Sequence, residues 1–127
     1  MPPPKTNGQR YILILEDNPQ DVYLTRIYLA EVARIVWVDN LEDYKLLLQS
    51  VHFDLILADV AVPGFKDFDA LDIAKLFTPT TPFIYMSGSI YDETLAKAMK
   101  RGAHDVIQKD RVARLEFIVK RLFGLPL

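Results

Sequence analysis

The sequence predicts an α/β protein in which one parallel sheet is covered by helices on both faces. Short apolar runs alternate along the chain with longer amphipathic stretches, five of each. Most of the runs are largely apolar, as in strands that are buried on both faces of a parallel sheet. Strands that alternate with helices in this way are typical of a doubly wound α/β fold.

The alternation runs from residue 11 to residue 123, so each element can be given a range. The predicted strands span residues 11–15 (YILIL), 34–38 (RIVWV), 53–58 (FDLILA), 82–87 (PFIYMS) and 104–109 (HDVIQK). The predicted helices span residues 19–31, 41–50, 68–77, 91–101 and 111–123.

Several helix ends are marked by residues that suit them. Asn18 precedes Pro19, a pair typical of an N-cap followed by a proline in the first turn. Asp21 places a carboxylate in that same turn, where the helix dipole favours it. Gly102 and Gly124 follow the fourth and fifth helices, as C-terminal glycines do.

The composition excludes several classes of protein. The chain has 127 residues, 50% of them hydrophobic, which suits one domain with a sizeable core. It has no cysteine, so disulfide bonds and thiolate metal sites are excluded. A net charge of -2 does not suit direct nucleic-acid binding, which would require a strongly basic surface. No apolar run reaches the length of a membrane span and the N-terminus lacks the apolar core of a signal peptide, so we expect a cytoplasmic protein with no membrane contact.

The folded domain is expected to occupy most of the chain. Residues 1–10 (MPPPKTNGQR) are proline-rich and polar, and we predict that they form a flexible leader. The domain is predicted over residues 11–124 and a short tail over residues 125–127. Trp37 and the leucines at positions 46–48 are expected to belong to the core.

Charged and hydroxyl side chains follow the predicted strands where these strands stop. The first strand runs into Glu16 and Asp17, and the third reaches Asp59. The fourth strand ends at Ser87 and the fifth at Lys109. In open α/β sheets, ligand sites form beyond the carboxyl ends of the strands, at the switch point of strand order. If the first and third strands are neighbours, three carboxylates meet there with a hydroxyl and an ammonium group nearby.

Such a group of side chains suits phosphoryl chemistry. Three clustered carboxylates repel one another and require a compensating positive charge. Oxygen ligands of this kind suit a hard divalent cation, Mg²⁺ in particular. Lys109 can hold an incoming anion and Ser87 can donate a hydrogen bond to it. Asp59 would then act as a nucleophile toward phosphorus and form an acyl phosphate.

The order and spacing of four segments resemble the response-regulator receiver domains of two-component signalling. The segments are LILEDN, FDLILADVAVPG, YMSGS and GAHDVIQKD, and the resemblance covers residues 11 to 123. It implies a flavodoxin-like fold with strand order 2-1-3-4-5, so that residues 11–124 would be a receiver domain. It also implies a signalling phosphoacceptor rather than an enzyme, one that assists its own phosphotransfer and dephosphorylation.

The resemblance further implies roles for individual residues and partners. Asp59 would accept a phosphoryl group from the phosphohistidine of a histidine kinase or phosphotransfer protein, and a downstream protein target would recognise the result. Asp17 and Asp59 would ligate Mg²⁺, with Glu16 acting partly through water and the backbone carbonyl of Ala61 as a further ligand. The phosphoryl oxygens would be contacted by Ser87 and Lys109.

Some positions depart from the family pattern. Val106 stands where members often carry an aromatic residue, so a rotating aromatic switch is not expected there. Asp67 stands where the family usually has glycine, and a positive φ would cost aspartate more than glycine. Asp110 replaces the usual proline, so we expect a trans peptide bond before it and a capping role for its side chain at the last helix. Ala61 and Ser89 are small and are not expected to shield a phosphoryl group strongly.

The last predicted helix has two different faces. Phe117 lies on the side of the basic residues, away from the apolar face. It is either an isolated exposed apolar residue, which is common, or part of a partner or homodimer site on this helix. The apolar face consists of Val112, Leu115, Ile118, Val119 and Leu122.

Alternatives remain open at this point. Taken one at a time, Glu16 and Asp17 fit an ordinary strand-to-helix loop, Ser87 fits a turn and Lys109 fits a solvated lysine. The coincidence of such groups at successive strand ends favours a site. A pseudo-receiver would keep the fold only as a protein-binding module without phosphorylation. A flavin or nucleotide binder would require a loop after the first strand that binds phosphate through its amides, whereas EDNPQD repels phosphate.

Overall fold

The structure is a computed structural model that describes residues 8–88 and 92–127. Within these ranges strands and helices alternate as predicted. Residues 1–7 of the predicted leader and Ser89 lie outside the described residues. The division into leader, domain and tail therefore stays a prediction.

The elements agree with the predicted ranges to within two residues at each described end. The strands are β1 (Tyr11–Leu15), β2 (Arg34–Val38), β3 (Leu55–Asp59), β4 (Phe83–Ser87) and β5 (Asp105–Gln108). The helices are α1 (Pro19–Leu29), α2 (Leu41–Ser50), α3 (Asp69–Phe77), α4 (Asp92–Lys100) and α5 (Val112–Leu122).

The strands form one parallel sheet in the order β2-β1-β3-β4-β5. This order confirms the fold class and the flavodoxin-like topology. The chain passes from β1 to β2 on one side and returns to β3 on the other, so the strand order reverses at β1. The carboxyl ends of β1 and β3 are therefore the switch point, where ligands bind in sheets of this class.

Both faces of the sheet are buried, and β1 lies at the centre of the two layers. Leu13 and Leu15 pack in the core cluster that includes residues of α2, α3 and α4. Ile12 and Ile14 pack in the second cluster, with residues of α1 and α5. Burial of each such side chain contributes about 1.5–3 kcal/mol to stability. This packing fixes the end of β1, which leads directly into Glu16.

Two apolar residues that were expected in the core are on the surface. Trp37 is 38% exposed because β2 is an edge strand, and Leu46 is 56% exposed on the outer side of α2. The prediction was right for Leu47 and Leu48, which are buried. No helix in the described part of the chain has the length and apolar character that a membrane span requires.

The two faces of α5 are as predicted. Phe117 is 45% exposed, and the guanidinium of Arg121 lies 5.8 Å from the centroid of its ring. Its role in any interface stays a prediction. The opposite face packs in the cluster with α1 and contains Val112, Leu115, Ile118, Val119 and Leu122.

The start of α5 differs from the prediction. The peptide bond between Lys109 and Asp110 is trans, as expected. The N-cap, however, is Arg111, and no side chain caps the helix, so the predicted capping role of Asp110 is wrong. The amide of Arg111 donates to the carbonyl of Gln108 at 2.9 Å. This extra turn delays the helix by one residue and leaves Asp110 exposed outside it.

Asp67 has a backbone conformation with positive φ. Its φ of 45° lies in the left-handed region, which L-residues other than glycine adopt at a cost of about 1–2 kcal/mol. Aspartate is better tolerated there than most residues, because its short side chain can form local hydrogen bonds. The loop after β3 therefore carries strain at a position where glycine would not.

We expect Asp67→Gly to raise the free energy of unfolding by up to about 1 kcal/mol. Glycine removes the left-handed strain, which stabilises the folded state. This gain exceeds the cost of about 0.5–1 kcal/mol that arises because glycine loses more backbone entropy on folding. Urea denaturation of wild type and variant measures the difference. Gly64→Ala is the reciprocal control in the same loop: its φ is 89°, the site has open space, and the variant should be destabilised. A loss of stability in Asp67→Gly would contradict the strain.

Candidate functional site

Three carboxylates meet at the switch point, as the sequence predicted. One oxygen each from Glu16, Asp17 and Asp59 lies within 4.8 Å of the other two. They meet because Leu15 pairs with Ala58 across β1 and β3: Glu16 directly follows β1, and Asp59 is the last residue of β3. Glu16 is buried and the side chain of Asp59 is only 8% exposed, whereas Asp17 faces solvent.

Lys109 supplies the positive charge that this cluster requires. It directly follows β5, and its amide donates to the carbonyl of Ser87 at 2.8 Å, which holds the ends of β4 and β5 together. Its side chain is 25% exposed and extends to carboxylates on other elements. Its Nζ lies 2.8 Å from Glu16 Oε1, 2.6 Å from Asp21 Oδ2 and 3.3 Å from Asp59 Oδ1.

Asp21 is a member of the site that the sequence interpretation missed. It was assigned only to the first turn of α1, and it does complement the helix dipole there. Asn18 caps α1 by accepting a hydrogen bond from the amide of Gln20 at 2.9 Å. Because α1 starts at the edge where the carboxylates meet, its first turn faces them. The sequence did contain a signal for this role, because Asp21 follows Asp17 by four residues, about one helical turn.

The Glu16 carboxylate and the backbone around it are held by several hydrogen bonds. Its Oε2 accepts from the amides of Asp17 at 2.8 Å and Asn18 at 3.2 Å. Its carbonyl accepts from the indole Nε1 of Trp37 at 2.7 Å, and its amide donates to the carbonyl of Val38 at 3.0 Å. The loop amides after β1 are therefore engaged by a carboxylate, which disfavours the flavin or nucleotide alternative.

Burial and charge perturb the two central ionisable groups. Burial raises the pKa of Glu16 from an ordinary 4.5 to about 7, although the hydrogen bond from Lys109 acts in the opposite direction. Burial would lower the pKa of Lys109, but its hydrogen bonds to Asp21 and Glu16 and the charge of Asp59 raise it above the usual value. Lys109 is therefore a permanent cation, while Glu16 changes charge near neutral pH.

The remaining predicted site residues lie at the same edge of the sheet. Ser87 is the last residue of β4 and is buried. Ala61 is exposed and lies two residues beyond Asp59. The residue between them, Val60, donates a hydrogen bond from its amide to the carbonyl of Met86 at 3.1 Å. The roles predicted for Ser87 and Ala61 stay predictions. The donor set of three carboxylates suits a hard cation such as Mg²⁺.

Comparison with protein families gives a match over most of the chain. Residues 12–120 match the family model described as response regulator receiver domain. The transcription factor SKN7 of Candida albicans is 28% identical over 105 residues, which are 81% of this chain and 19% of that protein. The cell cycle transcriptional regulator CtrA of Caulobacter vibrioides is 26% identical over 119 residues, 89% of this chain and 52% of that protein. The chain thus spans about half or less of these relatives.

Solved structures share the fold. A signal receiver domain of a putative Luxo repressor protein from Vibrio parahaemolyticus superposes with a TM-score of 0.83 and 20% identity, covering 91% of each chain. The receiver domain of the sensor histidine kinase PA1611 from Pseudomonas aeruginosa gives a TM-score of 0.79 and 21% identity. That match covers 92% of this chain and 99% of the other, whose active-site cleft holds a coordinated magnesium ion.

The raised pKa of Glu16 predicts how stability changes with pH in metal-free buffer. Between about pH 4.5 and pH 7, folded Glu16 keeps a proton that unfolded Glu16 has released. Its contribution to stability is therefore complete below this interval and lost as the pH rises through 7. Glu16→Gln stays neutral and should lack this component, so its stability relative to wild type should increase with pH.

Urea unfolding of both proteins in EDTA, at several pH values across and above this interval, measures the difference. Carboxylates remote from Glu16 are common to both proteins, so their contributions cancel in the comparison. Parallel pH profiles for wild type and Glu16→Gln would contradict the raised pKa.

Proposed function

Because the chain belongs to the response regulator receiver domain family, we propose that it is a phosphoacceptor of a two-component or phosphorelay system and that Asp59 takes the phosphoryl group. One observation carries the proposal. The Asp59 carboxylate is almost buried, yet it lies within 3.3 Å of the Lys109 ammonium and beside two further carboxylates. A carboxylate in this setting is equipped to be a nucleophile toward phosphorus.

In the proposed reaction, a carboxylate oxygen of Asp59 attacks the phosphorus atom of a phosphohistidine. An O–P bond forms, the N–P bond breaks, and the imidazole leaves with the electron pair of that bond. The Lys109 ammonium and the Ser87 hydroxyl would contact the phosphoryl oxygens and stabilise their negative charge. The product is an acyl phosphate on Asp59. The chain acts as a signalling phosphoacceptor that assists its own phosphorylation and dephosphorylation.

We assign Mg²⁺ to the acidic edge. Asp17 and Asp59 would be its ligands, with Glu16 acting partly through water and the carbonyl of Ala61 as a further ligand. The carboxylate oxygens that lie within 4.8 Å of one another support this assignment, as does the magnesium ion in the PA1611 neighbour. When bound, Mg²⁺ would supply positive charge to the phosphoryl oxygens.

The output is proposed to work without a rotating aromatic residue in β5. Val106 is buried and pairs in register with Tyr85 of β4. The Tyr85 ring contacts Phe83 with a centroid distance of 4.7 Å, and its hydroxyl accepts from the amide of Leu71 at 3.4 Å. Burial raises the pKa of Tyr85 to about 12, so it stays a neutral hydroxyl. Tyr85 is thus held in the core, and the change on phosphorylation would start at Ser87 and Lys109.

The proposed partners follow from the phosphoacceptor role. A histidine kinase or phosphotransfer protein would donate the phosphoryl group, and a downstream protein would recognise the altered surface. The exposed Phe117 on α5 is the candidate contact for a homodimer or partner. We propose a cytoplasmic location without membrane contact or direct nucleic-acid binding.

Mass spectrometry after incubation with phosphoramidate and Mg²⁺ tests the proposal. Wild type should gain the mass of one phosphoryl group in an acid-stable, base-labile form. Asp59→Asn should gain none, because the amide is nearly isosteric but a poor nucleophile. Asp17→Asn should react more slowly, since it loses a proposed metal ligand. Asp54→Asn is the matched control, because it removes a carboxylate just before β3 begins and should be labelled like wild type.

Equal labelling of wild type and Asp59→Asn would contradict the assignment of the phosphoacceptor. A folded wild-type protein that gains no phosphoryl group from phosphoramidate would favour the pseudo-receiver, a fold kept only for protein binding.

A further inference from the structure

We propose that Asp21 competes with the phosphoryl group for Lys109 and so limits how tightly the phosphorylated state is held. This inference rests on the proposed function. Its basis is the contact between Lys109 Nζ and Asp21 Oδ2, which at 2.6 Å is shorter than the contacts of Lys109 with Glu16 and Asp59.

The hydrogen-bonding capacity of Lys109 makes this a competition. An ammonium group has three N–H donors. Three carboxylate oxygens surround Nζ, from Glu16 and Asp21 at hydrogen-bond distance and from Asp59 at 3.3 Å. Two of the three donors thus have a hydrogen-bond acceptor before a phosphoryl group arrives, and the same ammonium also forms an ion pair with Asp59. A phosphoryl oxygen that binds Lys109 must share the ammonium with these carboxylates or displace one of them.

Asp21 is the carboxylate that can be released at least cost. Glu16 is buried and also accepts two backbone amide hydrogen bonds, so its carboxylate is fixed in place. Asp59 carries the phosphoryl group itself. The side chain of Asp21 is 29% exposed and can return to water. In the resting state, α1 holds Asp21 beside Lys109 through the Asn18 cap.

Charge acts in the same direction as hydrogen bonding. The Asp21 carboxylate lies next to the cation that would contact the phosphoryl oxygens, so it repels the incoming anion. The partly buried setting screens this repulsion less than bulk water would. Neutralising Asp21 would remove the repulsion and free one donor of Lys109.

Beryllium fluoride, a stable mimic of the phosphoryl group, tests the proposal. Its apparent dissociation constant at saturating Mg²⁺ can be followed by the fluorescence of Trp37, the single tryptophan, whose indole contacts Glu16. Asp21→Asn should bind beryllium fluoride about three- to tenfold more tightly than wild type, the effect of one charge-assisted contact. Asp21→Ser, which also removes the charge, should show the same direction.

Two controls separate this effect from net charge and from folding. Asp21→Glu keeps the carboxylate and should bind with an affinity close to that of wild type. Glu42→Gln removes a charge from the first turn of α2, and its affinity should also stay near the wild-type value. Circular dichroism establishes that each variant is folded.

The outcomes distinguish the two proposals. Unchanged affinity in both folded charge-removing variants overturns the competition, because Asp21 would then be only structural. Weaker binding also overturns it, because Asp21 would then aim Lys109 at the phosphoryl group. If wild type itself binds no beryllium fluoride and Asp59 cannot be phosphorylated, the proposed function fails together with this inference. If wild type binds and the variants match it, only this inference fails.

Discussion

The ion cluster around Lys109 is the interaction on which the site depends. Glu16 and Asp59 bring two nearly buried carboxylates to neighbouring strand ends, and their mutual repulsion adds to the cost of removing them from water. Lys109 offsets both costs through direct contacts with each of them. The same contacts would prepare the site for the proposed phosphoryl transfer, because a cation that neutralises carboxylates can also neutralise phosphoryl oxygens. The resting carboxylates and an incoming phosphoryl group would therefore compete for one ammonium group.

The topology of the sheet makes this cluster possible. Because β1 lies between β2 and β3, the acidic residues after β1 adjoin the last residue of β3. Much of this could be predicted from the sequence. The apolar runs predicted where the strands lie. The charged residues at the ends of two of these runs, Glu16, Asp17 and Asp59, were predicted to form the site. Pairing between β1 and β3 had to be assumed, because apolar pattern alone does not reveal which parallel strands are neighbours.

The misses share a physical cause, since each depends on how an element is placed in three dimensions. Asp21 joined the site because the first turn of α1 faces the strand ends, whereas the sequence showed only a favourable helix-start residue. Trp37 is exposed because β2 is an edge strand, and its indole instead supports the Glu16 backbone. Asp110 failed as a cap because a turn precedes α5. The local sequence therefore predicts which helix, strand or cap positions suit a residue. The packing of helices and strands determines which contacts its side chain makes.

A crystal structure of the protein with Mg²⁺ and beryllium fluoride would show whether Lys109 moves from the carboxylates to the phosphoryl group. We expect beryllium fluoride attached to a carboxylate oxygen of Asp59. We also expect Lys109 Nζ to lie within about 3 Å of a fluorine atom, the normal length of such a hydrogen bond. Beryllium fluoride absent from Asp59, or a Lys109 side chain that still contacts only carboxylates, would contradict the claim that this cation serves both the resting cluster and the phosphoryl group.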